Sequence, residues 1–116
     1  MQEAGADALE VNAWYLPGDA DLSGEAIEDR YLTLLRELKG RVTIPVTMKL
    51  SPFFSSLPHF VRQAEAAGAA GVSLFNRFFQ PDIDLENLKV VDRAQLSTSA
   101  DVLLTMRWIA ILRGRS

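Results

Sequence analysis

Three polar residues stand at or near the ends of short apolar segments. Asn12 closes Leu9-Glu10-Val11-Asn12, Lys49 lies in Val46-Thr47-Met48-Lys49, and Asn76 closes Val72-Ser73-Leu74-Phe75-Asn76. Their types suit one task, handling a planar polar heterocycle. A carboxamide carries two donors and an acceptor. An ammonium carries three donors and a positive charge. Each residue also has a plainer use. A strand-end Asn bonds its own loop backbone, and a Lys on an apolar strand pairs with an acid, here Glu10.

The elements that would position these residues follow from local pattern. Residues 1–5 read as a helix end closed by Gly5. Asp7 to Asn12 reads as a strand, and Pro17-Gly18-Asp19 marks the loop after it. Ser23 is the expected N-cap of a helix whose stripe is Ile27, Tyr31, Leu34, Leu35 and Leu38, ended by Gly40. Val46 to Leu50 is the second strand, entered at Pro45. A helix from Leu57 to Ala67 carries Leu57, Phe60, Val61 and Ala64 on one side, with Pro58 in its first turn. After Gly68 the third strand runs from Gly71 to Asn76. Beyond it, Leu88 to Val91 and Ala94 to Ser97 flank Asp92-Arg93, which predicts a hairpin excursion over about 85–97. Thr98 or Ser99 caps a final helix from Ala100 to about Arg113 that is apolar on more than one side.

This βαβαβ order predicts an α/β fold, a partial TIM (β/α)8 barrel. It would comprise about three consecutive βα units plus a β-hairpin and a final helix, in one domain over residues 1–116. In such a barrel the carboxyl ends of the strands form the active face. A complete barrel needs roughly 200–250 residues, and both ends of this chain read as cut from a longer one. An open parallel sheet leaves two unpaired edges, so the chain is expected to be marginally stable alone or to form a homo-oligomer.

Bulk properties exclude several function classes. The 12 Lys and Arg against 15 Asp and Glu give a net charge of -3, which argues against a nucleic-acid or anionic-membrane partner held by charge. The chain has no cysteine, so disulfides, thiolate metal sites and a Cys nucleophile are excluded. No cationic leader or long apolar run is present, and a cytoplasmic location is expected. His59 is the sole histidine and reads as a surface residue. Asp82 and Asp84 lack the rest of a calcium loop, and no metal site is expected. Phe53-Phe54 and Phe78-Phe79 read as core or loop-packing pairs, with stacking on a ligand as the alternative. No Gly-rich nucleotide fingerprint occurs.

The combined pattern resembles the dihydroorotate dehydrogenase family of flavin-dependent barrel enzymes. The carrying segments are Leu9-Glu10-Val11-Asn12, Val46-Thr47-Met48-Lys49-Leu50-Ser51-Pro52-Phe53-Phe54 and Leu74-Phe75-Asn76, with Leu96-Ser97-Thr98 and Met106-Arg107-Trp108-Ile109 later. The likeness spans nearly all of this chain but only the middle of a family member. It implies an FMN-dependent oxidoreductase converting dihydroorotate to orotate in pyrimidine biosynthesis, with a small pyrimidine-like substrate. It implies that Lys49 lies beside the pyrimidine edge of FMN, where hydride transfer leaves negative charge. It also implies that Asn12 and Asn76 bind the substrate ring, Asn12 touching the flavin as well.

This chain departs from the family on the substrate side. The family's general base, a Cys or Ser, is replaced by Tyr15, whose phenol has an ordinary pKa near ~10 and makes a poor base at neutral pH. Tyr15 otherwise packs with Trp14 over the strand ends. The family's second Asn of that loop is Pro17 here. The residue after Asn76 is Arg77, either a bidentate grip for a substrate carboxylate or a partner of Asp82 or Asp84. Two alternatives therefore stand beside the first reading: another flavin- or phosphate-binding barrel with a different substrate, or a non-catalytic binding module.

Overall fold

Alternation along the strands decides the layout. The computed structural model describes residues 2–77, 80–92 and 96–114. Strands β1 (Leu9–Asn12), β2 (Val46–Leu50) and β3 (Gly71–Leu74) form a parallel sheet in the order β1-β2-β3. Helix α1 (Gly24–Lys39) joins β1 to β2, and α2 (Leu57–Ala66) joins β2 to β3. Successive strand residues face opposite sides, so Leu9, Val11, Val46, Met48, Leu50, Val72 and Leu74 share one face. Tyr31, Leu32 and Leu35 of α1 and Leu57, Phe60, Val61 and Ala64 of α2 pack into one core with that face. Leu35, Val46, Met48, Leu50, Leu57 and Phe60 are fully buried, each stabilising the fold by about 1.5–3 kcal/mol. The Ser23 hydroxyl caps α1 by accepting from the Ala26 N–H at 3.1 Å.

The opposite face is polar. Parallel register sets Asn12 beside Lys49 and Lys49 beside Ser73 in one row, with Glu10, Thr47 and Gly71 in the row behind. These residues are exposed or half-buried.

The expected partial barrel is not found. A barrel closes by adding strands and fills its interior with layers of bulky side chains. Here the described sheet has three strands, its helix-free face carries Glu10, Thr47, Lys49 and Ser73, and the chain leaves β3 for a separate two-stranded antiparallel sheet. Among the described residues the architecture is a small α/β one, with three helices, an open parallel sheet and that hairpin.

The hairpin is also displaced from its expected place. Strand β4 (Asp82–Asp84) pairs with β5 (Lys89–Val91), with Ile83 opposite Val90. The Asp84 carboxylate accepts the backbone N–H groups of Glu86 at 2.9 Å and Asn87 at 3.1 Å and the Asn87 side-chain amide at 2.8 Å. That local network builds the turn over 85–88, with Leu88 at φ 50°. An aspartate bonding its following backbone is a stronger turn signal than Asp92-Arg93. Residues Arg93, Ala94 and Gln95 of the expected turn and strand, like Phe78-Phe79, lie outside the described residues.

The last helix, α3 (Val102–Leu112), follows a 3-10 turn at Ser99–Asp101. The Asp101 carboxylate accepts from the Thr98 N–H at 2.6 Å and the Thr98 hydroxyl at 3.0 Å. Leu112 joins the core and Trp108 packs against it. Val102, Leu103, Met106 and Ile109 on the other side are exposed.

Candidate functional site

The sheet brings Asn12, Lys49 and Asn76 together. Asn12 ends β1 and lies in register with Lys49 on β2. Asn76 follows β3 on an extended segment, and its backbone N–H donates to the Leu50 carbonyl at 2.6 Å, which prolongs the parallel ladder past Leu74. The Leu74–Phe75 peptide in this segment is cis. From there the Asn76 side-chain amide donates to the Asn12 side-chain carbonyl at 2.5 Å. The two carboxamides thus meet across the end of β2.

Lys49 rises from the polar face with its Nζ 3.8 Å from Glu10 Oε1. Glu10 also accepts from the Ser73 hydroxyl through Oε2. The acid partner that the strand composition suggested is therefore present, and it does not bury the lysine, whose side chain is 38% exposed. Residue type suggests Glu10 only as a neutraliser of Lys49 and does not single out Ser73. The signal that finds them is alternation: Glu10 sits two before Asn12, and Ser73 is level with Lys49.

Arg77 turns away from this row. Its guanidinium donates to the Ser97 hydroxyl at 2.5 Å. Asn76, Arg77, Ser97, Thr98, Asp101 and Phe53 are among the residues lining a cavity of about 470 Å³ between the end of β3 and the start of α3. Asp101 is held below the ordinary carboxylate range by the hydrogen bonds from Thr98, with a smaller contribution from the Arg77 charge. Of the expected acids, Asp84 is engaged by its own turn.

Tyr15 lies in the loop between β1 and α1 and packs against α1. The Arg30 guanidinium lies 5.0 Å from its ring centre, and the residue packs against the core. The phenol of the neighbouring Tyr31 is pushed up by burial, an effect opposed by a hydrogen bond from the Tyr15 backbone. Phe54 packs on Tyr31 and stacks on Phe60 at 4.4 Å between ring centres, as its packing reading expects, whereas Phe53 is 73% exposed. His59 is exposed.

Among the described residues no cluster of three His, Asp or Glu groups is arranged to hold a metal ion. No described helix is long and apolar enough to cross a membrane. No protein-family model matches the chain, and comparison with curated proteins finds no match.

Proposed function

We propose that this chain supplies the ring-binding face of a cytoplasmic FMN-dependent oxidoreductase that acts on a small pyrimidine-like ring, as the dihydroorotate dehydrogenases do. The observation that carries this reading is the convergence of Asn12, Lys49 and Asn76 at the strand ends, with Asn76 bonded to Asn12. An ammonium flanked by two carboxamides on an uncovered polar sheet face fits the edge of a flavin and of a pyrimidine. FMN, when bound, supplies the capacity to accept a hydride. Lys49 places positive charge beside the ring edge, and Asn12 and Asn76 orient the substrate by donor and acceptor pairing.

FMN titration followed by fluorescence quenching tests the reading. Wild-type protein is expected to bind saturably, and Lys49→Ala to weaken binding by about 10–100-fold, since a hydrogen bond to a charged group is worth about 1.5–3 kcal/mol. Equal binding by both proteins, or no saturable binding by wild type, would count against it.

One observation favours a binding module over an enzyme. Tyr15, at the family's base position, packs with Arg30 and α1. Turnover separates the two readings. An enzyme bleaches its bound flavin on addition of dihydroorotate, and a binding module does not.

A further inference from the structure

Two side-chain bridges cross β2, one on either side of Lys49. Asn76 and Asn12 form one at the strand ends. Ser73 on β3 and Glu10 on β1 form the other, behind it. β1 and β3 are the outer strands, about 10 Å apart given the usual strand spacing, so Glu10 and Ser73 must both lean inward over β2 to meet. Thr47 stands between them on β2, and Gly71, which has no side chain, completes the Glu10 row on β3. The carboxylate that results is fixed at one oxygen by Ser73 and turned toward the Lys49 ammonium with the other.

We infer that Glu10 is a positioning residue for Lys49, and that Ser73 acts through Glu10. This inference rests on the proposed ring-binding role of Lys49 and extends it to two residues which that role does not require. A lysine has four rotatable side-chain bonds and a strongly hydrated head. On an open sheet face it would sample many positions, and a ligand would have to order it. A carboxylate held from β3 fixes the ammonium near the sheet centre before anything binds, which reduces the ordering cost. It also balances the charge, so the resting face carries one cation and one anion. A neutral polar ring then meets a defined donor without competition from free anions attracted to an unpaired ammonium.

The test compares wild type with Glu10→Gln, Ser73→Ala and the double variant. Gln keeps the size and an acceptor for Ser73 while removing the charge, so the sheet is retained. Two readouts are taken: FMN affinity by fluorescence quenching, and the mobility of the Lys49 Cε group by NMR without ligand. Glu10→Gln is expected to weaken FMN binding about fivefold, the upper range for a half-exposed ion pair. Ser73→Ala should weaken it less, and the double variant should be no worse than Glu10→Gln alone, because Ser73 acts only through Glu10. Lys49 Cε should be ordered in wild type and mobile in Glu10→Gln. Unchanged or tighter FMN binding in Glu10→Gln would overturn the inference. If wild type does not bind FMN, the ring-binding reading fails, and the NMR measurement alone decides positioning. An equally mobile Lys49 in wild type and Glu10→Gln would then overturn it, and ordering lost in the variant would sustain it.

Discussion

The region from Leu9 to Asn76 buries most of its large apolar side chains wholly or in part, whereas the region from Asp82 to Leu112 leaves most of its own in solvent. In the first, Leu35, Met48, Leu50, Leu57 and Phe60 are inaccessible. In the second, Ile83, Leu85, Leu88, Val90, Met106 and Ile109 are exposed, and Leu112 is the one large apolar side chain counted in the core among the described residues. The difference is one of pattern. Strands that alternate and helices with one stripe specify which side turns inward. Helix α3 is apolar nearly all round, so Trp108 and Leu112 dock one side on the core while the other side has no partner in the described chain. A two-stranded hairpin has too little surface to make a core of its own.

Truncation sharpens this contrast most. Phe60→Ala should cost about 3–5 kcal/mol, the range for deleting a fully buried aromatic ring, read as a lower urea midpoint with unchanged slope. Val90→Ser and Ile109→Ser should change stability by no more than about 0.5 kcal/mol, as surface substitutions do. Comparable losses from all three would mean that the exposed side of α3 and the hairpin is covered in solution, and the two regions would no longer differ in kind.

That division also marks what could be read from the sequence. The three strands, both crossover helices, the Ser23 cap and the Gly68 turn follow from local chemistry, and the meeting of Asn12, Lys49 and Asn76 follows from strand-end placement. Sheet closure was not legible, because the number of strands in a sheet is a property of the whole assembly. The clearest warning was present all the same. Glu10, Thr47, Lys49 and Ser73 alternate with apolar residues, which is the pattern of a sheet with one uncovered face and not of strands buried on both sides. The hairpin was misplaced because Asp84 was weighed as a metal ligand or an arginine partner and not as the residue that bonds its own following backbone. Glu10 was noticed only as a neutraliser of Lys49, since its link to Ser73 spans 63 positions in sequence.

A smaller effect comes from the apolar surface itself. A dye that fluoresces in apolar surroundings should bind the native protein through α3, because contiguous apolar surface of this kind is uncommon on a monomer. Ile109→Lys should lower the signal, and Leu34→Lys on the exposed side of α1 should leave it nearly unchanged. Equal losses from the two variants would place the dye elsewhere and weaken the contrast.

The subtlest difference is in pH response, and the two regions respond in opposite directions. Burial raises the Tyr31 phenol above its ordinary value, with the Tyr15 backbone hydrogen bond opposing. The folded state therefore prefers the neutral phenol. Its contribution to stability is fully present below about pH 10, the unfolded value, and is lost as pH rises through the folded one. Asp84 and Asp101 are shifted the other way, by the Asn87 and Glu86 hydrogen bonds and by those of Thr98 respectively. Their contribution is present above the unfolded value of about 3.9 and is lost as pH falls through the folded values. Amide protection at Asn87 and Thr98, taken relative to the intrinsic exchange rate at each pH, should fall on acidification while Met48 stays protected, and Asp101→Asn should remove the acid response at Thr98 alone. On the alkaline side the thermal midpoint should fall, and Tyr31→Phe should flatten that limb. Simultaneous loss of protection at Thr98 and Met48 in acid would show the two regions opening as one unit, which would break the comparison.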